Sequence, residues 1–121
     1  MIREAISSPN VRAPYSAVVV AEGRFAFLAG QGPLRDGVYV PGTIEEETQL
    51  TLENVAALLE ASGSGFEHVV RCGVWITDLS SFAGMNSVYE TFFPDPKPAR
   101  ATVEAGLIVG KVEIDCVALV P

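Results

Sequence analysis

The sequence contains little of what metal-dependent and triad-based enzymes require. Its 121 residues include one histidine, His68, and two cysteines, Cys72 and Cys116. There is no His-x-x-His or Cys-x-x-Cys pair, so we predict no metal site. A Ser-His-Asp triad is excluded unless His68 itself serves in it. Both cysteines lie in apolar, strand-like segments, and we interpret them as buried, reduced thiols.

Basic residues are also scarce. Eight Lys and Arg stand against fifteen Asp and Glu, the formal net charge is −7, and no basic run occurs. This balance disfavours a nucleic-acid partner and an anionic membrane surface, because both require clustered positive charge. No apolar stretch approaches the ~20 residues that span a bilayer. The first residues, Met1 to Ala5, do not resemble a signal peptide, so we expect a cytoplasmic protein.

The length and pattern predict one domain over residues 1–121, in the order β-β-α-β-α-β-β. A hairpin is predicted over 17–29 around the Glu22-Gly23 turn, and further strands over 69–77, 99–105 and 111–120. Two helices on one face of a mixed sheet make an α+β fold. The last strand is apolar on both faces near Val117 and Leu119, which favours a second subunit as a cover.

Both helices have recognisable starts. Thr43 and Glu46 form a capping box at the first helix, and its three consecutive glutamates are interpreted as a solvated turn matched to the helix dipole. Ser80 is predicted to cap the second helix. The glycine pair Gly30-Gln31-Gly32 follows a strand but leads into Pro33, not into a helix. It is therefore not a nucleotide loop, and we predict no nucleotide binding there.

The last quarter of the chain carries the most informative charges. Arg100 shares one strand face with Thr102 and Glu104, and Glu113 shares a face with Asp115. If the two strands lie close together, a guanidinium able to grip a small carboxylate is near a carboxylate able to hold a water. The alternative from spacing alone is a solvated sheet face in which Arg100 pairs with Glu113 or Glu104.

Several segments in order resemble the RidA (YjgF) family, the reactive-intermediate deaminases. The matching residues cover nearly the whole chain: Ala13-Pro14-Tyr15, Phe27-Leu28-Ala29-Gly30-Gln31, Thr51-Leu52-Glu53-Asn54-Val55, Val74-Trp75-Ile76-Thr77-Asp78-Leu79, the segment from Asn86 to Phe93, Pro98-Ala99-Arg100, and Val112-Glu113-Ile114. Each motif is weak by itself, whereas the ordered set is specific for the fold.

The resemblance implies a chorismate-mutase-like α+β fold, assembled as a homotrimer with inward-facing sheets and clefts at the subunit interfaces. It also implies cofactor-independent hydrolysis of small 2-imino and 2-enamino acids, such as 2-aminoacrylate and 2-iminobutanoate, to 2-keto acids and ammonia. Two alternatives stay open: a non-enzymatic carboxylate-binding or chaperone-like protein, and a specialised catabolic hydrolase. Ribonuclease activity is the least favoured, given the acidic charge and the single histidine.

Site residues follow from the same resemblance. It implies that Arg100 binds the substrate carboxylate and that Glu113 positions the attacking water. Substrate-binding roles are implied for four further positions: Tyr15, Gly30, Thr102 and Asn86. Three departures from the family pattern put substrate preference in question: Thr102 where cysteine is frequent, Ala29 where serine is frequent, and a shortened connection over Leu107 to Gly110.

Overall fold

The computed structural model describes residues 1–121 and contains eight strands and two α-helices. The helices are α1 (Ile44–Ala61) and α2 (Phe82–Phe92). The strands, in chain order, are β1 (Ile2–Ile6), β2 (Val18–Glu22), β3 (Arg24–Gln31), β4 (Leu34–Arg35), β5 (Val38–Tyr39), β6 (Val69–Ile76), β7 (Ala99–Glu104) and β8 (Val112–Val120).

The main sheet has four strands in the order β3-β8-β6-β7. The β6–β7 pair is parallel, and β8 is antiparallel to both β3 and β6. Side chains of α1 and α2 pack with those of β6 and β8 in a cluster of 14 buried residues, so both helices cover one sheet face. The predicted α+β fold, two helices on one face of a mixed sheet, is therefore confirmed.

The helix starts follow from their first residues. Thr43 and Glu46 form the predicted capping box of α1, with each side chain accepting a hydrogen bond from the other residue's backbone N–H. The cap predicted at Ser80 is wrong. A short 3₁₀ turn, Leu79–Ser81, precedes α2, and Asp78 caps it by accepting from the Ser80 N–H. A carboxylate two residues upstream fits that turn better than a hydroxyl inside it.

The predicted hairpin between β2 and β3 is also wrong. β2 pairs with β1, an N-terminal strand that was not predicted, and β3 pairs with β8 in the main sheet. Because β1 occupies a hydrogen-bonding edge of β2, the Glu22-Gly23 pair bends the chain from one sheet into the other. Gly23 has φ 148°, a conformation that favours glycine.

The final two strands are not neighbours. β6 lies between β7 and β8, so the close approach predicted for the charged faces of these strands does not occur through direct pairing. The connection over 105–111 instead crosses one strand. This crossing decides where Arg100 and Glu113 lie.

The first turn of α1 is only partly solvated. Glu47 is buried, and its carboxylate accepts hydrogen bonds from the Tyr39 hydroxyl and from the backbone N–H groups of Gly42 and Lys111. The Lys111 ammonium lies 3.0 Å from the same carboxylate. The interpretation of all three glutamates as solvated was wrong for this one, because the chain folds β5 and the start of β8 against the N-terminus of α1.

The opposite sheet face carries exposed apolar side chains. Phe27 on β3 is 78% exposed and Val103 on β7 is 46% exposed. Leu119, which was expected to need a second subunit as a cover, is buried by the chain itself. Neither helix is both long enough and apolar enough to cross a bilayer.

Candidate functional site

Arg100 lies on β7 with its side chain on the helix-facing side of the sheet. It is paired in register with Cys72, a core residue of β6, and only 7% of it is exposed. Its guanidinium carbon lies 4.7 Å from the ring centre of Tyr15 and 4.6 Å from that of Tyr89. The ring of Phe82 is 5.7 Å away. Three aromatic rings therefore surround the cation, and cation–π attraction stabilises it there.

The guanidinium has no polar partner. Its Nε, Nη1 and Nη2 atoms are all buried without a hydrogen bond, and no carboxylate lies within ion-pair distance of it. The alternative pairing of Arg100 with Glu113 or Glu104 is thus not found, and Glu104 instead accepts from the Leu79 N–H. Burial lowers the pKa of Arg100 from its ordinary value. An unpaired buried cation is costly, and a small anion is the kind of group that could satisfy its N–H donors.

Unpaired polar atoms accompany the cation. The Tyr89 hydroxyl, Asn86 Oδ1 and Thr102 Oγ1 are buried and lack hydrogen-bond partners. Thr102 shares the Arg100 face of β7, and Asn86 lies on α2 between Phe82 and Tyr89 at spacings that put all three on one helix face. Burial raises the pKa of Tyr89, so its hydroxyl stays protonated and is able to donate. These side chains thus provide donors and acceptors on the Arg100 side of the sheet.

Tyr15 contacts Arg100 because the loop before β2 is hydrogen-bonded to the start of β7. The Ser16 N–H donates to the Pro98 carbonyl, and the Ser16 hydroxyl donates to the Lys97 carbonyl. Ser16 also forms a parallel bridge with Ala99, the residue before Arg100. These contacts fix the segment before β2 against the edge strand β7, which places the Tyr15 ring over Arg100.

Glu113 lies on the other face of the sheet. It is paired with Trp75 on β6, three residues from the Cys72 that pairs with Arg100. Because side chains alternate along a strand, this odd separation puts Glu113 and Arg100 on opposite faces. Glu113 lies against Gly30, where a Cβ atom would overlap its carboxylate. The bulge in β3 between Leu28 and Gln31 brings Gly30 to this position.

The predicted site residues therefore form two groups in one chain. Arg100, Tyr15, Thr102 and Asn86 gather on the helix side, and Glu113 with Gly30 gathers on the open side. Two further residues beside Arg100, Tyr89 and Phe82, were not among the site residues predicted from sequence. Their i, i+7 spacing indicates that they share one helix face, but no pattern in the sequence indicates that an arginine lies beneath that face. No group of three or more His, Cys, Asp and Glu side chains is gathered as a metal site.

Comparisons with known proteins identify the family of the chain and agree with its fold. A family model described as Endoribonuclease L-PSP matches residues 5–120. Protein mmf2, mitochondrial, of Schizosaccharomyces pombe is 46% identical over 110 residues, covering 87% of this chain and 86% of that protein. The crystal structure of yeast Mmf1 has a TM-score of 0.77 at 29% identity, covering 99% of this chain and 100% of that one. This chain belongs to the RidA (YjgF) family.

Relatives within the RidA family carry deaminase names. The goat protein named 2-iminobutanoate/2-iminopropanoate deaminase is 32% identical over 126 residues, covering 98% of this chain and 91% of that protein. Reactive Intermediate Deaminase A, chloroplastic, of Arabidopsis thaliana is 32% identical over 123 residues, covering 96% of this chain and 65% of that protein. Deaminase, endoribonuclease and mitochondrial-protein names thus occur together among the relatives of this RidA-family chain.

Proposed function

We propose that this protein hydrolyses small 2-imino and 2-enamino acids, such as 2-iminobutanoate and 2-aminoacrylate, to 2-keto acids and ammonia. The observation that carries the proposal is the Arg100 guanidinium, buried between Tyr15 and Tyr89 with none of its N–H groups bonded. A small carboxylate satisfies that group in bidentate fashion. The deaminase names of the goat and Arabidopsis relatives support the choice of substrate class.

Arg100 has the binding role in this mechanism. The substrate carboxylate docks on its fork of N–H donors, and a charge-assisted hydrogen bond of this kind contributes roughly 1.5–3 kcal/mol. The unpaired Thr102 hydroxyl and Asn86 carbonyl accept from the substrate nitrogen or from a bound water. These contacts orient the C=N bond, and orientation supplies most of the rate that an intrinsically labile imine requires.

Glu113 has the water-activating role. The enamine first tautomerises to the imine, which leaves an electrophilic carbon next to the bound carboxylate. A water hydrogen-bonded to Glu113 adds to that carbon, and the Glu113 carboxylate accepts one of the water's protons. The nitrogen takes up protons, the carbinolamine C–N bond breaks with its electron pair leaving on nitrogen, and ammonia departs. The carbinolamine oxygen, losing its proton, becomes the keto oxygen.

A homotrimer with clefts at the subunit interfaces is part of the proposal. In one chain Arg100 and Glu113 lie on opposite sheet faces, so a single subunit does not present both groups to one substrate. The exposed Phe27 and Val103 supply apolar surface of the kind that subunits bury. We infer that a cleft takes Arg100 from one subunit and Glu113 with Gly30 from the next.

The experiment generates 2-iminobutanoate in situ with a threonine dehydratase and follows 2-ketobutyrate while semicarbazide competes for the imine. Wild type is compared with Arg100→Ala and with Arg35→Ala, a control that removes an exposed arginine on β4. We expect wild type and Arg35→Ala to accelerate keto-acid release, and we expect no acceleration by Arg100→Ala. All three proteins are expected to be folded and to have the same oligomeric state.

Two results would contradict the proposal. Equal rates with Arg100→Ala would remove Arg100 from the mechanism. No acceleration by wild type over buffer would reject deaminase activity on this substrate and would favour the carboxylate-binding role or a larger substrate. Direct titration with 2-ketobutyrate distinguishes the carboxylate-binding role from activity on a larger substrate, because a carboxylate-binding protein retains Arg100-dependent affinity for this keto acid.

We further propose that the protein acts on a small molecule in the cytoplasm and binds neither nucleic acid nor a membrane. The formal net charge of −7 supports this, since RNA binding depends on clustered cations. The cytoplasmic location stays a prediction, and the names of the fission-yeast and Arabidopsis relatives place those proteins in mitochondria and chloroplasts.

A further inference from the structure

The two cysteines of the chain contact each other in the core. Cys72 on β6 and Cys116 on β8 are directly paired in the antiparallel register, and their sulfur atoms lie 3.2 Å apart. Both residues are essentially fully buried, and both thiols are free. They were interpreted from sequence as two separate buried thiols. Their contact is a feature that this interpretation did not contain.

The backbone geometry suits a covalent bond. Directly paired residues on antiparallel strands have Cα atoms roughly 4.5–5.5 Å apart. That separation falls within the roughly 4.4–6.8 Å over which a disulfide joins two residues without backbone movement. Cys72 and Cys116 also project from the same face, since both belong to the cluster beneath the helices. Rotation of the two side chains suffices to bring the sulfurs to bonding distance.

The cysteine pair lies next to Arg100 in the sheet. Cys116, Cys72 and Arg100 form one row across β8, β6 and β7, each paired with the next. The ring of Tyr89 packs on the Arg100 guanidinium. Burial, and after it the neighbouring Cys72 thiol, raise the pKa of the Tyr89 hydroxyl. Cys72 is thus paired with Arg100 in the sheet and lies next to a ring that packs on the guanidinium.

We propose that Cys72 and Cys116 are a reversible redox site, in which hydrogen peroxide, a two-electron oxidant, joins them in a disulfide next to Arg100. One sulfur attacks a peroxide oxygen, the O–O bond breaks, and the product is a sulfenic acid and water. The second sulfur, 3.2 Å away, displaces the hydroxyl group as water and forms the S–S bond. Both thiol protons leave in the two waters, and the peroxide is reduced.

Because the sulfurs are buried, the bond is expected to form slowly. A partner thiol in contact captures the sulfenic acid before a second peroxide reaches it. The hydrogen-bonding contact with Cys72, and then burial, raise the pKa of the Cys116 thiol, which slows reaction at that sulfur. The state of the pair thus reports sustained oxidant exposure and not a brief pulse.

The test treats the native, reduced protein with hydrogen peroxide, quenches it, and alkylates it in denaturant. We expect intact mass to show the loss of two hydrogens and no alkylation, peptide mapping to join Cys72 to Cys116, and dithiothreitol to restore both thiols. Cys72→Ala and Cys116→Ala are the matched controls, and each is expected to gain oxygen at its single remaining cysteine, which peptide mapping distinguishes from oxidation of Met1 or Met85. Two free thiols after treatment, or oxygen gain on either cysteine without a link in wild type, would overturn the proposal. The wild-type map alone decides this if either variant fails to fold.

A second measurement tests the link to Arg100 and rests on the proposed function. The oxidised and reduced proteins are titrated with 2-ketobutyrate, and we expect the oxidised form to bind several-fold more weakly, with recovery after dithiothreitol. Equal affinities would reject the coupling while leaving the disulfide established. No binding to either form would reject the ligand and not the redox site, because the mass measurement does not depend on it.

Discussion

Arg100 and Glu113 project from opposite faces of the same sheet. Arg100 is in register with Cys72 and Glu113 with Trp75 of the intervening strand β6. The helices cover the first face, and the second carries exposed apolar side chains. If both residues serve one reaction, two subunits must contribute to each site. Single mutants do not test this requirement, whereas mixed oligomers of two different variants do.

Mixed oligomers of Arg100→Ala and Glu113→Ala are expected to regain activity that neither variant has. In a ring where Arg100 of one subunit meets Glu113 of the next, random mixing at equal amounts pairs the two intact residues at about one quarter of the sites. The measurement is imine hydrolysis after the two variants are unfolded together and refolded. Separately refolded variants, mixed afterwards, are the control.

Absence of recovery in co-refolded material that has the size and composition of mixed oligomers would contradict a shared site. An active Glu113→Ala variant would instead favour Arg100 acting without Glu113, since the two residues lie on opposite sheet faces within one subunit.

Gly30 offers a way to disturb Glu113 without changing its chemistry. A Cβ atom at position 30 would overlap the Glu113 carboxylate, so Gly30→Ala is expected to displace that side chain. We expect kcat to fall by about tenfold or more, because general acid–base contributions depend on hydrogen-bond geometry. The fold is expected to persist.

Gly32→Ala is the matched control, since its nearest neighbour would be the Val112 carbonyl at 3.9 Å. Steady-state kinetics and thermal unfolding of both variants check the prediction. A Gly30→Ala enzyme with unchanged kcat would remove the Glu113 position from the mechanism.

The unpaired hydroxyl of Thr102 predicts opposite effects on stability and on binding. Thr102→Val keeps the shape but removes a buried oxygen that has no partner in the free chain. We expect the free energy of unfolding to stay the same or rise by about 1 kcal/mol, while affinity for a 2-keto acid falls. Thr48→Val, which removes another unpaired buried hydroxyl on α1, is expected to leave affinity unchanged. Chemical denaturation and calorimetric titration test both; an unchanged affinity for Thr102→Val would exclude the hydroxyl from ligand binding.

The sequence predicted local structure better than pairing. The capping box at Thr43 and the alternation of β8 depend on neighbouring residues, and both are present as predicted. The hairpin over 17–29 failed because an unpredicted strand, β1, pairs with β2, and no local pattern reports on a competing strand. Long-range pairing also put β6 between β7 and β8.

The candidate site shows the same division. The alternation that put Arg100 with Thr102 on one face, and Glu113 with Asp115 on another, holds in the structure. Whether those two faces coincide depends on the strand order, which the spacing of charges does not contain. The aromatic rings around Arg100 come from α2 and from the loop before β2, so only tertiary packing brings them together.

The buried carboxylate of Glu47 predicts a pH-dependent loss of stability. Burial acts to raise its pKa, but hydrogen bonds from Tyr39, Lys111 and Gly42 outweigh burial, so its pKa lies below the ordinary value of 4.5. The unfolded chain therefore binds this proton more readily than the folded one. The contribution of Glu47 is complete above the unfolded pKa and is lost as pH falls through the folded one.

We expect Glu47→Gln to lower the free energy of unfolding by about 2 kcal/mol at neutral pH, because the Lys111 ammonium and the donors around it lose their anionic acceptor. That ammonium is partly exposed, and solvent moderates the loss. The gap between wild type and variant should narrow as pH falls below 4.5. Urea unfolding across pH checks this, with the exposed neighbour Glu45→Gln as the control. A gap that stays constant below pH 4 would mean that Glu47 stabilises the fold by packing alone, since only its charge is removed by protonation.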